Sequence, residues 1–158
     1  IITKAAASAD TIDVTNAGAI TDANIQAILE SVDSAIPNDL YDDQDMVIHM
    51  NTGDFRKYQK SVIDLTYKGQ GPAESVPAVY KGREIRYYSG LPANSIIAGL
   101  ATPGPNSNFQ AAVDMINDPD NVKIERRRPE SENFFVKILF KMAVEIGWNE
   151  ETVLYQGS

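Results

Sequence analysis

Residues Phe134 to Trp148 read FFVKILFKMAVEIGW. Every even position is apolar: Phe134, Val136, Ile138, Phe140, Met142, Val144, Ile146 and Trp148. Lys137, Lys141 and Glu145 fall on odd positions. Side chains along a strand point alternately to its two faces, so a period of two predicts one long β-strand with a buried face and a mixed face. Such a strand exceeds the usual length of about 5–6 residues. It suits a sheet that reaches beyond one compact core. The strand is expected to pair antiparallel with Val122 to Arg126, because only a short connection separates the two. Its even positions from Phe134 to Ile146 are expected to face protein interior, with the far end near Trp148 open to solvent.

Upstream of this stretch the pattern alternates between helical and strand periods. Residues Ile1 to Ala19 are rich in Ala, Thr, Ser and Asp and read as an extended lead-in, with Thr11 to Val14 as an edge strand. Thr21 or Asp22 can cap a helix, since a side-chain oxygen there accepts from the open N–H groups of the first turn. Ile25, Ile28, Leu29, Val32 and Ile36 follow at helical spacing, and Pro37 ends the helix. An acidic loop from Asn38 to Asp45 leads to the apolar run Met46 to Met50, a buried strand. Asn51-Thr52-Gly53-Asp54 opens a second helix with the inner stripe Phe55, Tyr58, Val62 and Leu65.

Gly69 to Pro72 reads as a loop, and Val76 to Tyr88 as a hairpin turning at Lys81-Gly82. Ile96 to Leu100 is a further buried strand, and Thr102 to Asn108 a loop. Phe109, Ala112, Val113 and Ile116 have the spacing of a short helix. Asp118 to Asn121 is a turn before the strand Val122 to Arg126, and Val153-Leu154-Tyr155 lies in the tail. The fold class expected from this order is α+β, a mixed α/β layer in which a central mixed sheet is flanked by helices.

The chain has 158 residues, enough for one domain with a real core. It lacks cysteine, which removes disulfides, cysteine metal sites and thiol catalysis together. A net charge of -8 opposes broad contact with nucleic acid. No apolar run approaches the roughly 18 residues that cross a bilayer.

Three pieces in order carry a family likeness. The first is the helix Ala23 to Ile36 followed by AIPNDLYDDQDMVIHMNTGDFRKYQ; the second is YKGREIRYYSGLPANSIIAGL; the third is VKIERR followed by ENFFVKILFKMAVEIGWNEETVLY. Together they resemble the C-terminal half of the major capsid proteins of tailed bacteriophages, which have the Hong Kong 97-type shell fold. The resemblance runs from about Asp22 to Tyr155. It implies the axial domain of such a subunit, with 1–19 as lead-in, 20–133 as core and 134–158 as a long C-terminal antiparallel strand and tail. The family's N-terminal arm, extended loop and spine helix have no counterpart here, and the chain begins at Ile1, so a piece of a larger subunit is expected.

The resemblance further implies a structural protein, not an enzyme, with no cofactor and no metal. Its partners would be copies of itself, in hexamers and pentamers, and packaged DNA held only non-specifically, with no membrane. It would reside in the virion after assembly in the host cytoplasm.

The residues themselves leave other chemistry to weigh. His49 is the one histidine, and with Asp45 or Asp54 it could serve as a general base in a small hydrolase or metal-dependent enzyme. The alternation of Met46, Ile48 and Met50 puts it on the opposite strand face, where a histidine satisfied within the fold is the plainer reading. Asp39, Asp42, Asp43 and Asp45 offer oxygens to a hard cation, but without the glycine turn and terminal glutamate of a calcium loop, so a solvated loop is preferred. No phosphate-binding glycine motif is present. Arg126, Arg127 and Arg128 form the dense basic run and are the candidate subunit-contact residues, able to meet an acidic neighbour or nucleic acid. A small-ligand binding module is the remaining alternative.

Overall fold

The fold was obtained as a computed structural model that describes residues 2–14, 18–66, 76–102, 106–113, 122–126, 134–138 and 141–157. Its helices are α1 (Ile2–Ala7), α2 (Ile25–Ser34) and α3 (Thr52–Thr66). Its strands are β1 (Ile12–Asp13), β2 (Met46–Asn51), β3 (Val79–Tyr80), β4 (Arg83–Tyr88), β5 (Ser95–Leu100), β6 (Phe109–Val113), β7 (Val122–Arg126), β8 (Phe134–Ile138), β9 (Met142–Ile146) and β10 (Val153–Gln156). The chain divides into two compact units, Ile1–Phe109 with Ile146–Ser158, and Gln110–Glu145.

The first unit is built on a six-stranded mixed sheet in the order β1-β10-β5-β2-β4-β3. The pairs β1–β10 and β2–β4 are parallel, and the remaining pairs antiparallel. On one face Met46, Ile48, Met50, Ile85, Ile96, Ala98, Val153 and Tyr155 pack against Ile25, Ile28, Leu29 and Val32 of α2 and Phe55 and Tyr58 of α3. On the other face Ile97 and Leu154 pack with Ile2 and Ala5 of α1 and with Ile146.

Local chemistry explains where the elements begin. Before α2, Thr21 N–H donates to Asn24 Oδ1 at 2.7 Å and Asn24 N–H donates to Thr21 Oγ1 at 3.3 Å. This reciprocal pair satisfies two donors as a capping box does. Asp22, the other candidate cap, pairs instead with Lys60 of α3. Asn51 Oδ1 accepts from Gly53 N–H at 2.7 Å and so caps α3. In the β3–β4 hairpin both turn residues have positive φ, 47° at Lys81 and 87° at Gly82. That geometry matches the right-handed twist of the flanking strands.

A buried ion pair fastens β4 to α2. The Arg83 guanidinium donates to Asp33 Oδ1, and both side chains are almost wholly buried. A second arm of Arg83 donates to Tyr41 O at 2.7 Å, and the Tyr41 ring lies 4.3 Å beneath the guanidinium carbon. Tyr41 Oη and Lys81 Nζ donate to Asp33 Oδ2 at 3.2 and 3.3 Å. The network therefore holds the acidic loop, the hairpin turn and α2 to one carboxylate.

Several expectations are revised. The lead-in is not wholly extended, because Ile2–Ala7 is helical; its edge strand is present as β1. Phe109 to Val113 is a strand paired with β9, not the start of a helix, and Ile116 lies outside the described residues. The long C-terminal strand is two strands, Phe134–Ile138 and Met142–Ile146, with different partners. The antiparallel pairing of β7 with β8 is as expected, from Arg126↔Phe134 to Val122↔Ile138. The inward face is not: Phe134, Val136 and Met142 are 58–60% exposed. Phe134 and Val136 lie on the two-stranded pair β7–β8 and Met142 on the pair β6–β9, outside the six-stranded sheet. Among the described even positions Ile146 is the buried one. The tail residues Val153–Gln156 are a fully inserted sheet strand. The Gly69 to Pro72 loop, the Asp118 to Asn121 turn, and Pro103 to Pro105 within the expected Thr102 to Asn108 loop fall outside the described residues, as do Phe140 and the side chain of Ile138.

Removing Arg83 takes the buried guanidinium from Asp33 and leaves that buried carboxylate with the longer Tyr41 and Lys81 contacts. Arg83→Met is expected to lower stability by about 3 kcal/mol. The double variant Asp33→Leu, Arg83→Met should lose less than Arg83→Met alone. Urea denaturation of the three proteins checks both the size and the order.

Candidate functional site

β2 and β5 place His49 opposite Ile97 on the α1 face of the sheet, and β4 places Arg86 on its other side. The Tyr88 ring stacks on the imidazole with centroids 5.9 Å apart, and the Phe109 ring meets it edge-on at 5.0 Å. These residues, with Gly90, Leu91 and Ile97, line a half-open cavity of about 330 Å³ whose walls are almost entirely carbon. His49 Nε2 is buried without a hydrogen-bond partner. Burial pushes the imidazole pKa down to about 4, the Arg86 charge adds to the shift, and Glu84 opposes it. His49 is therefore a neutral side chain at pH 7.

A general base needs an orienting carboxylate and room for a substrate with polar groups to fix it. Asp45 is exposed at the entrance to β2. Asp54 is buried in the first turn of α3, where it accepts from Lys57 Nζ at 2.7 Å and from Asn94 N–H at 2.8 Å. Neither lines the cavity. The structure thus separates the His49 constellation considered from sequence. Asp39, Asp42, Asp43 and Asp45 are all exposed, and Asp43 Oδ1 accepts from Asp45 N–H at 2.9 Å. Among the described residues no group of three or more His, Asp or Glu side chains converges on a metal-sized space.

The second candidate is the ribbon of the Gln110–Glu145 unit. Ile124 is 66% exposed, and Phe134, Phe135 and Val136 each more than half exposed. Neighbours along a strand point to opposite faces, so both faces of β7–β8 carry open apolar side chains. Arg126 is exposed, with its guanidinium 5.4 Å from the Phe134 ring centre. Arg127 and Arg128 lie outside the described residues. Reading the alternation as a core face hid these apolar residues as surface candidates. Phe135, at an odd position of that alternation, was the available signal that the stretch carries bulk on both faces.

No protein-family model matches the chain, and no curated protein matches its sequence. Solved structures do. A chain of a virus-like particle from Pyrococcus furiosus superposes with a TM-score of 0.52 at 12% identity, over 99% of this chain and 60% of that one. A chain of the satellite phage P4 procapsid that includes the size determination (Sid) protein superposes with a TM-score of 0.55 at 10% identity, over 85% of this chain and 38% of that one. The likeness is one of fold, and the fold is of capsid type. This chain spans less than two thirds of either neighbour. Among the described residues no helix is long and apolar enough to cross a membrane.

The His49 environment sets a pH dependence. Its pKa falls from 6.5 unfolded to about 4 folded, so the unfolded chain binds the proton more tightly. Stability contributed by neutral His49 is present above pH 6.5 and is lost as pH falls toward 4. Between pH 7.5 and 5 the wild type should lose about 2 kcal/mol more than His49→Gln. Chemical denaturation at both pH values measures the difference; equal losses would show that His49 titrates normally.

Proposed function

We propose that this chain is the axial-domain part of a major capsid subunit of a tailed bacteriophage or prophage, with the Hong Kong 97-type shell fold. It works by self-association into hexamers and pentamers that enclose DNA without reading its sequence. The capsid-type fold supports this, and the exposed apolar ribbon carries it. A monomeric protein rarely leaves a contiguous patch of large apolar side chains open, and such a patch marks an association surface. Ile124, Phe134 and Val136 form that patch on one face of β7–β8, and Phe135 lies open on the other.

Charge favours a second copy as the partner. Residues 122–141 hold six basic and three acidic side chains within a chain of net charge -8, so the remainder is strongly acidic. The basic ribbon of one subunit is complementary to the acidic body of another, which steers encounter and fixes register. Arg126, Arg127 and Arg128 are the proposed contact residues at the end of β7. The shell encloses its contents through many weak, repeated contacts, each of which can be small because closure multiplies them. The work is mechanical, the partners are copies of the subunit with DNA held non-specifically inside, and the site of action is the virion. No observation favours an enzyme at His49, since the orienting carboxylates sit elsewhere.

Ile124→Glu and Phe135→Glu test this in the protein encoded by the complete reading frame. Shell or ring formation, followed by sedimentation velocity and electron microscopy, is expected to fall at least tenfold in yield. The melting temperature of the 158-residue chain should stay within about 2 °C of wild type, because the altered side chains are on the surface. Unchanged assembly with both variants would overturn the reading.

A further inference from the structure

Phe109 is the last residue of the sheet-bearing unit before the chain departs into the ribbon. Its ring rests on bare backbone at Gly99: a Cβ built there would lie 2.9 Å from Phe109 Cζ and 3.2 Å from Cε2. A residue larger than glycine at position 99 would therefore displace the ring from this seat. The same ring forms one wall of the cavity bounded by His49, Tyr88, Gly90, Leu91 and Ile97.

The backbone beneath the ring is fixed. Asn108 N–H donates to Leu100 O at 2.9 Å, and Gly147 N–H donates to Asn108 O at 2.8 Å. Phe109 N–H donates to Ser107 Oγ at 3.3 Å. The side chain, by contrast, is only partly buried and adjoins open volume. A cavity of about 150 Å³ is enough to take benzene, so about 330 Å³ has room for a phenyl ring. A small-molecule site normally adds a few polar groups that fix its ligand. Carbon walls without them suit an apolar ring supplied by the chain itself.

We propose that Phe109 is a two-position latch at the root of the ribbon, seated on Gly99 in one state and rotated into the His49–Tyr88–Leu91 cavity in the other. Rotation about its own side-chain bonds suffices, and aromatic side chains have few staggered positions to choose from. A packed interior switches between discrete arrangements instead of deforming continuously. The proposal stands on the packing of this chain alone and does not depend on the shell reading.

Benzene is the probe, and 4-fluorophenylalanine at Phe109 reports the ring. Benzene should raise the melting temperature of the wild type by entering the cavity. In Gly99→Ala the new methyl drives the ring into that space, so benzene should no longer stabilise the protein, and the fluorine resonance should move. Equal stabilisation of both proteins, or none of the wild type, would overturn the latch. Should Gly99→Ala fail to fold, Leu91→Trp decides the matter, because it fills the second seat. Exchange broadening of the Phe109 fluorine in the wild type should vanish in Leu91→Trp. A single sharp wild-type resonance at every temperature below melting would refute the proposal.

Discussion

The position of β10 constrains everything else. The strand nearest the end of this chain lies inside the sheet, between β1 and β5, with Val153, Leu154 and Tyr155 all buried. The segment between β5 and β10 must therefore leave the sheet and come back to it. Its two ends are joined where Gly147 N–H donates to Asn108 O at 2.8 Å. The segment between them is thus an excursion whose two ends meet, and its described strands pair as β6–β9 and β7–β8. Tyr155 Oη donates to Gly18 O at 2.6 Å, and Gly157 N–H donates to Asn94 O at 2.8 Å. Asn94 in turn accepts from Ile20 N–H through its side chain and donates its own N–H to buried Asp54. Three other parts of the chain, at Ile20, Asp54 and Gly157, meet at that asparagine, which holds a left-handed φ of 59°.

This division of labour accounts for the chemistry. The sheet unit buries an apolar core on each face of its sheet and ties buried polar side chains into networks, as at Asp33–Arg83 and Asp54–Asn94. The ribbon does the reverse and leaves large apolar side chains open. On the shell reading proposed above, that open apolar surface is what association would bury. A histidine kept neutral by burial, in a cavity with carbon walls, makes the sheet unit less stable as pH falls toward 4.

Much of the sheet unit was legible in the sequence. Ile25, Ile28, Leu29 and Val32 at helical spacing gave α2, and the alternation around His49 gave the faces of β2, because one layer buries each pattern. The Lys81-Gly82 turn was visible because few residues accept positive φ. The failures share a cause. Alternation from Phe134 reports strand geometry but not whether a layer covers it, so exposed residues looked like core. Phe109, Ala112, Val113 and Ile116 match a helical stripe, yet pairing with β9 overrides the local pattern through Val113. The four residues of β10 and the alanine-rich α1 were too short to carry a period, and packing on Ile97 and Leu154 fixes α1. The cavity beside His49 depends on the long-range approach of Phe109 to Gly99, which no local pattern encodes.

If the ribbon is the association surface proposed above, the sheet unit is stable by itself and the ribbon is covered only on assembly. Amide hydrogen exchange, compared between the isolated chain and assembled particles of the complete protein, tests this most directly. Amides of β2, β5 and β10 should exchange slowly in both. Those of Val122–Arg126 and Phe134–Ile138 should exchange quickly in the isolated chain and slowly in the particle. Equal protection of the ribbon in the two states would contradict the claim.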